Sequence, residues 1–227
     1  MKIALTGLVL CWLSIGQAAL PPANALEVLS LPEGSRLQVA KTQPQSFYNQ
    51  LMQMAFSDEP SLQNRWKALN LAAAMEPTQA TTELERALAQ KEWFMRSAAL
   101  VAYKNTQPEQ VETVATRMIG DKALVVRSTA VGILPDAPTP QMRDRLWAEL
   151  QQDYNFHKGQ SLWVRSEIVE KLALHPENHE KSRWIACLHD EDVKVQTAAI
   201  EGLERLTGQK RGSSKSSLEE KRQLWLK

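Results

Sequence analysis

The sequence predicts an all-α protein, a right-handed α-solenoid of about five helix pairs, and three observations predict it. The first is a recurring stretch. Val125-Val126-Arg127-Ser128-Thr129-Ala130-Val131 returns as Phe94-Met95-Arg96-Ser97-Ala98-Ala99-Leu100 and as Trp163-Val164-Arg165-Ser166-Glu167-Ile168-Val169. Gln63-Asn64-Arg65-Trp66-Lys67-Ala68-Leu69 is a degenerate first copy, and Lys194-Val195-Gln196-Thr197-Ala198-Ala199-Ile200 is the last. The second is the period. The key positions 65, 96, 127, 165 and 196 lie 31, 31, 38 and 31 residues apart, which is the signature of stacked repeats. The third is the stripe. Counted from the key residue, offsets −1, +3, +4 and +7 are apolar in nearly every copy, and those offsets share one face of an α-helix. A helix of that kind cannot bury its stripe alone, so the copies must stack.

Taken in order, residues 1–25 read as a signal peptide. Lys2 supplies the positive end, Ile3 to Ile15 the apolar run, and Ala23-Asn24-Ala25 the A-x-A cleavage site, with Gly16-Gln17-Ala18 as the alternative. A retained anchor needs roughly 20 apolar residues, and this run is shorter. Residues 26–45 form a linker or a short hairpin around Pro32-Glu33-Gly34-Ser35. The repeat array covers 46–207, with outer helices expected at 46–56, 82–90, 108–119, 140–151 and 180–188. The inner helices are expected at 62–75, 93–104, 124–134, 162–174 and 193–206. Prolines mark the breaks: Pro60 and Pro77 bound the first inner helix, and Thr139-Pro140 reads as a cap and first turn. The seven extra residues of the fourth unit fall near 153–160. Residues 208–227 are a basic, Ser- and Gly-rich linker and a short capping helix, with Ser216 or Ser217 as its cap and Glu219 or Glu220 completing a capping box. Leu218, Leu224 and Trp225 would cover the open end of the stack.

The Asp turn followed by an aliphatic-Arg-x-x-Ala-aliphatic helix, clearest in 121–134 and 190–203, resembles the short bacterial HEAT repeat. The resemblance covers about 46–206, with Asn64 and Gln196 as departures at the two ends. It implies a structural ladder in which the turn Asp and the helix Arg bond along the stack. On that basis Asp121 paired with Arg127, and Arg96, Arg165 and Asp192, are carried over as ladder residues. Some HEAT-like proteins resemble bilin lyases, so an enzyme-associated or lyase-like module stands as the alternative function.

Composition narrows the function classes. The chain has 27 basic and 26 acidic side chains, and Lys2 is the only charged one in the leader. What remains is balanced, unlike a nucleic-acid binder. Cys187 is alone after the leader departs, and its apolar surroundings make it a small buried hydrophobe. His175-Pro176-Glu177-Asn178-His179 misplaces the glutamate of the zinc-protease pattern. No catalytic residue, metal site or cofactor site is assigned. The expectation is an exported, periplasmic or secreted scaffold that binds another protein, with no nucleic-acid partner and no membrane span after leader removal. Its binding surface is assigned to the concave face, at the +2 and +5 offsets, and to the fourth-unit insertion. The residues assigned are Lys67, Ala98, Val101, Thr129, Glu167, Glu170 and Glu201, together with Tyr154, Phe156 and His157.

Overall fold

The computed structural model describes residues 24–227, so the leader reading, including Lys2, lies outside the described residues apart from Asn24 and Ala25. The described chain is all-α, with thirteen α-helices and one two-stranded hairpin. No helix among the described residues is long and apolar enough to cross a membrane.

Two helices precede the array: α1 (Ala25–Ser30) and α2 (Glu33–Lys41). This corrects the linker-or-hairpin expectation for 26–45. Pro32-Glu33-Gly34-Ser35 starts a helix instead of turning a hairpin: Pro32 is the N-cap, Glu33 sits favourably in the first turn, and Ser35 bonds back to the Pro32 carbonyl. Asn24 caps α1 by accepting from the Leu26 amide, and Ala25, Val28 and Leu29 bury the short helix.

The outer helices are α3 (Gln45–Phe56), α5 (Pro77–Leu88), α7 (Val111–Met118), α9 (Pro140–Glu149) and α11 (Lys181–Cys187). The inner helices are α4 (Leu62–Met75), α6 (Trp93–Thr106), α8 (Leu124–Ile133), α10 (Val164–Ala173) and α12 (Val193–Thr207). Each outer helix touches the inner helix that follows it, except that α9 reaches α10 across the insertion. The inner helices touch one another in chain order, α4 to α6 to α8 to α10 to α12. Helix α5 begins earlier than expected because Pro77 occupies its first turn, where no N–H is needed. Thr139 caps α9 by accepting from the Met142 amide.

Every member of the four stripe columns is buried except Asn64, which is half-buried in the degenerate first copy. The small +3 residues Ala68, Ala99, Ala130 and Ala199 are fully covered, which lets neighbouring helices approach closely. The chain closes on α13 (Leu218–Trp225), where Ser217 and Glu220 form a reciprocal capping box. Trp225 is buried against the stack and Leu218 packs partly on it, whereas Leu224 faces solvent and does not serve as part of the cover.

Two glycines on inner helices test this packing with opposite signs. A Cβ on Gly202 would lie 2.8 Å from the Trp184 ring, which is fully buried and stacked edge-on against Trp147. A Cβ on Gly132 meets nothing within 4 Å. Gly202→Ala is therefore expected to destabilise by about 1–3 kcal/mol through overpacking. Gly132→Ala should stabilise by about 0.5–1 kcal/mol through helix propensity. Urea midpoints of the two variants should move in opposite directions; movement in the same direction would refute the packing around Trp184.

Candidate functional site

The buried arginines of the inner helices lie under the turns that join outer to inner helices. Arg96 donates to both carboxylate oxygens of Asp121, each at 2.7 Å, and to the carbonyls of Gln90 and Lys91 at 2.8 Å. Asp121 also accepts from the Ala123 amide at 2.8 Å, and its carbonyl accepts from Arg127 at 2.7 Å. The last unit repeats the pattern. Arg165 donates to Asp190 at 3.1 and 2.5 Å, Asp190 accepts from the Asp192 amide at 2.9 Å, and its carbonyl accepts from Gln196 at 2.5 Å. Each turn Asp thus holds the arginine of the preceding unit by its side chain and the key residue of its own unit by its carbonyl. Arg65 bonds the Ala55 carbonyl at 3.0 Å and reaches the exposed Asp58 at 3.4 Å.

Two ladder assignments change. Asp121 meets Arg127 through its backbone, and its carboxylate belongs to Arg96. Asp192 is not a rung: it caps α12 by accepting from the Lys194 amide at 2.9 Å, and Asp190 takes the rung. The acceptor that matters stands six residues before the key position, where 121 and 190 fall.

The insertion explains the remaining rung. It places Gly159 six before Arg165, so no side chain is available there. Asn155, fully buried, takes over: its Oδ1 accepts from Arg127 at 2.9 Å and its Nδ2 donates to the Glu149 carbonyl at 2.8 Å. The segment then turns through the hairpin β1 (Phe156–His157) and β2 (Gln160–Ser161), with Lys158 and Gly159 both at positive φ as a tight two-residue turn requires. Tyr154 lays its ring 5.1 Å from the Arg127 guanidinium and donates its hydroxyl to the buried Glu149. Burial and that carboxylate push the Tyr154 phenol up to about 12. The Phe156 ring sits 4.3 Å from the Arg165 guanidinium. Both aromatics fold back onto the stack, although Tyr154 keeps one exposed side; His157 is exposed.

Another buried ion pair lies among the outer helices. Arg143 donates to Glu180 at 2.9 and 2.5 Å and to the Leu172 carbonyl, and Trp147 donates to Glu180 at 2.8 Å. Burial acts to raise the Glu180 carboxyl, but the bonds from Arg143, Trp147 and the Glu177 amide outweigh it and hold the group below the usual range. Sequence reasoning missed this cluster. Its only signal was Arg143 and Trp147, four residues apart, interleaved with the apolar Met142 and Leu146. Cys187 lines a cleft of about 500 Å³ between α9 and α11. Burial, helped by Asp190, pushes its thiol up to about 12, so it stays protonated and unreactive at neutral pH.

The residues expected to line the concave face divide. Ala98 is fully buried, and Ala198 is only 3% accessible, so the +2 offset is not an open column. At +2 the helix turns toward its neighbour: the Ala98 carbonyl accepts from Asn70 at 3.3 Å, and Thr129 bonds Ser97 at 3.3 Å. Lys67, Val101, Thr129 and Glu167 are half-buried, and Glu170 and Glu201 are exposed. Glu167 and Glu170 share a groove of about 410 Å³ with Ser128, Val131, Gly132, Lys171 and Leu174. Burial first, then the charge of Glu170, raises the Glu167 carboxyl against the opposing effects of Ser128 and Lys194. The structure does not bring the insertion residues Tyr154, Phe156 and His157 into that groove.

A different surface carries the large exposed apolar side chains. Leu62, Trp93, Val125, Trp163 and Val193 are each between 40% and 60% exposed. All five stand at the N-terminal ends of the five inner helices. Since those helices pack in chain order, the five form a row along one edge of the array.

No protein-family model matches this chain, and a search of curated proteins returns no match.

The two aspartates assigned to the ladder should behave differently. Asp121→Ala strands the buried Arg96 and is expected to cost about 3–5 kcal/mol. Asp192→Ala removes a helix cap and a bond to Ser161, leaves Arg165 its Asp190 partner, and should cost about 1–2 kcal/mol. Chemical denaturation of both variants measures the gap; equal losses would refute the placement of the rung at position 121.

Proposed function

We propose that this chain is an exported, non-catalytic right-handed α-solenoid of the short HEAT-repeat kind, and that it binds another protein in the cell envelope. The repeated arginine with its turn aspartate, and inner helices in contact in chain order, support the repeat reading. The observation that carries the binding reading is the edge row of Leu62, Trp93, Val125, Trp163 and Val193. Aligned exposed hydrophobics mark interaction surfaces, and tryptophan is favoured where interfaces concentrate their binding energy. The near balance of 27 basic and 26 acidic side chains gives no support to nucleic acid as the partner.

The test is recovery of a partner from the envelope fraction on the immobilised protein. The wild type should retain one protein at a fixed ratio. Trp93→Ser combined with Trp163→Ser should keep the helical circular dichroism and weaken retention at least about tenfold, since each buried interface aromatic contributes more than about 1 kcal/mol. Undiminished retention by the double variant would remove the edge row from the interface.

Export has its own readout. Asn24 caps α1 and Ala25 is buried in it, so cleavage after Ala25 would strip the cap, whereas cleavage after Ala18 would leave α1 whole. N-terminal sequencing of envelope protein should return a residue between Ala19 and Leu26; recovery of Met1 would overturn export.

A further inference from the structure

We propose that the groove between α8 and α10 receives a lysine or arginine side chain, carried beside an aliphatic residue on a segment of the partner protein. This rests on the protein-binding reading above and names the chemistry that one of its surfaces would recognise. The groove is floored by Val131, Gly132 and Leu174 and walled by Ser128, Glu167, Glu170 and Lys171.

Three features favour a basic side chain. Ser128 bonds the Glu167 carboxylate, but its Oε2 is shut off from solvent and accepts no hydrogen bond. A buried acceptor without a donor carries a free-energy cost that an incoming N–H group removes. Glu170, three residues on and therefore on the same helix face, is exposed and adds its charge to that of Glu167. The cation of the groove wall is turned elsewhere: Lys171 Nζ donates to the Leu134 carbonyl at 3.1 Å and lies 3.4 Å from Asp136. Lys194, at the start of α12, offsets Glu167 only in part. The apolar floor suits the methylene stem of lysine or arginine, which packs on hydrophobic surface while its head reaches a carboxylate. Two carboxylates fall short of the six to eight oxygen ligands that calcium takes, and among the described residues no three His, Cys, Asp or Glu side chains gather as a metal site.

The probe is a fifteen-residue amphipathic peptide of lysine and leucine, with a glutamate–leucine peptide as its charge-reversed control. The full chain is titrated with each at physiological salt, by fluorescence anisotropy and by nuclear magnetic resonance. The lysine peptide should bind, and the perturbed resonances should include the Gly132 amide and the Leu174 methyls. Glu167→Gln with Glu170→Gln should weaken binding about tenfold or more, as loss of a close charge pair does. Glu33→Gln with Glu109→Gln removes the same charge from exposed sites elsewhere and should change affinity less than about twofold. Gly132→Arg has open space for its side chain, so the variant should fold and fill the groove with its own cation, abolishing binding. Equal losses from the two glutamate pairs, shifts confined to another surface, or full binding by Gly132→Arg would each overturn the proposal. So would displacement of the peptide by submillimolar calcium chloride, which would make the groove a metal site. The peptide titration reads the groove and the envelope recovery reads the helix-end row, so either can fail while the other stands.

Discussion

A guanidinium buried under a helix turn has five N–H groups to satisfy, and the inner helix that carries it has spent its own carbonyls. In this protein the acceptors come from two neighbours. Arg96 takes the carbonyls of Gln90 and Lys91 from the turn before it and the Asp121 carboxylate from the turn of the next unit. Arg165 does the same with Leu150 and Asp190. The carboxylate lies 25 residues on in both cases, so the bond forms only when the next turn arrives at one height and one angle. Replacing such pairs with well-packed hydrophobic residues is often neutral or stabilising, whereas removing one partner is costly. The rungs therefore act on register: they penalise every stacking of the helices other than this one. The insertion shows how strict the demand is. With Gly159 in the rung position, the segment supplies Asn155 to the same arginine instead of leaving it open.

How far the sequence carried the fold follows from which forces are local. The apolar stripe is a local pattern, and nineteen of its twenty positions are buried. Pro77, Thr139 and Ser217 punctuate helices through bonds within a few residues, and their effects were readable. The region 26–45 was misread because short apolar alternation around Pro-Glu-Gly-Ser suits a turn equally well. What settles it is contact with α4, together with the bond from Arg36 to the Leu31 carbonyl. The Arg143–Glu180 pair spans 37 residues between outer helices, whose spacing no inner-helix pattern constrains. The rung offset was misjudged by a related route. Asp190 and Asp192 both stand in the turn, and the choice between them depends on where the preceding unit's arginine reaches.

Legibility of the candidate surfaces was poorer. The +2 and +5 offsets were assigned as an open face on the premise that an inner helix has one packed side. In the array it has three: toward its own outer helix and toward the inner helix on each flank. Ala98 lies on a flank, so a small residue there is a packing choice and not an opening. Glu167 and Glu170 escape because α8 has Gly132 opposite, where nothing fills the space a side chain would take.

The ladder also bears on how the inner helices begin. Helix N-termini ordinarily recruit Ser, Thr, Asp or Asn to cap the first free amides. At the start of α8 the aspartate that could cap is placed upstream, where Asp121 turns the chain through the Ala123 amide and holds Arg96 with the same carboxylate. Helices α6, α8 and α10 begin without a side-chain cap, whereas Ser61 caps α4 and Asp192 caps α12. Hydrophobic side chains stand at the starts of both kinds of helix, Trp93, Val125 and Trp163 on the uncapped ones and Leu62 and Val193 on the capped ones. Each of these side chains leaves 40–60% of its surface in water, which is unfavourable and gains the stack nothing from that part. A position that the internal bonding leaves unconstrained, yet that holds tryptophan in two units out of five, is the part of this surface whose composition the fold itself does not account for.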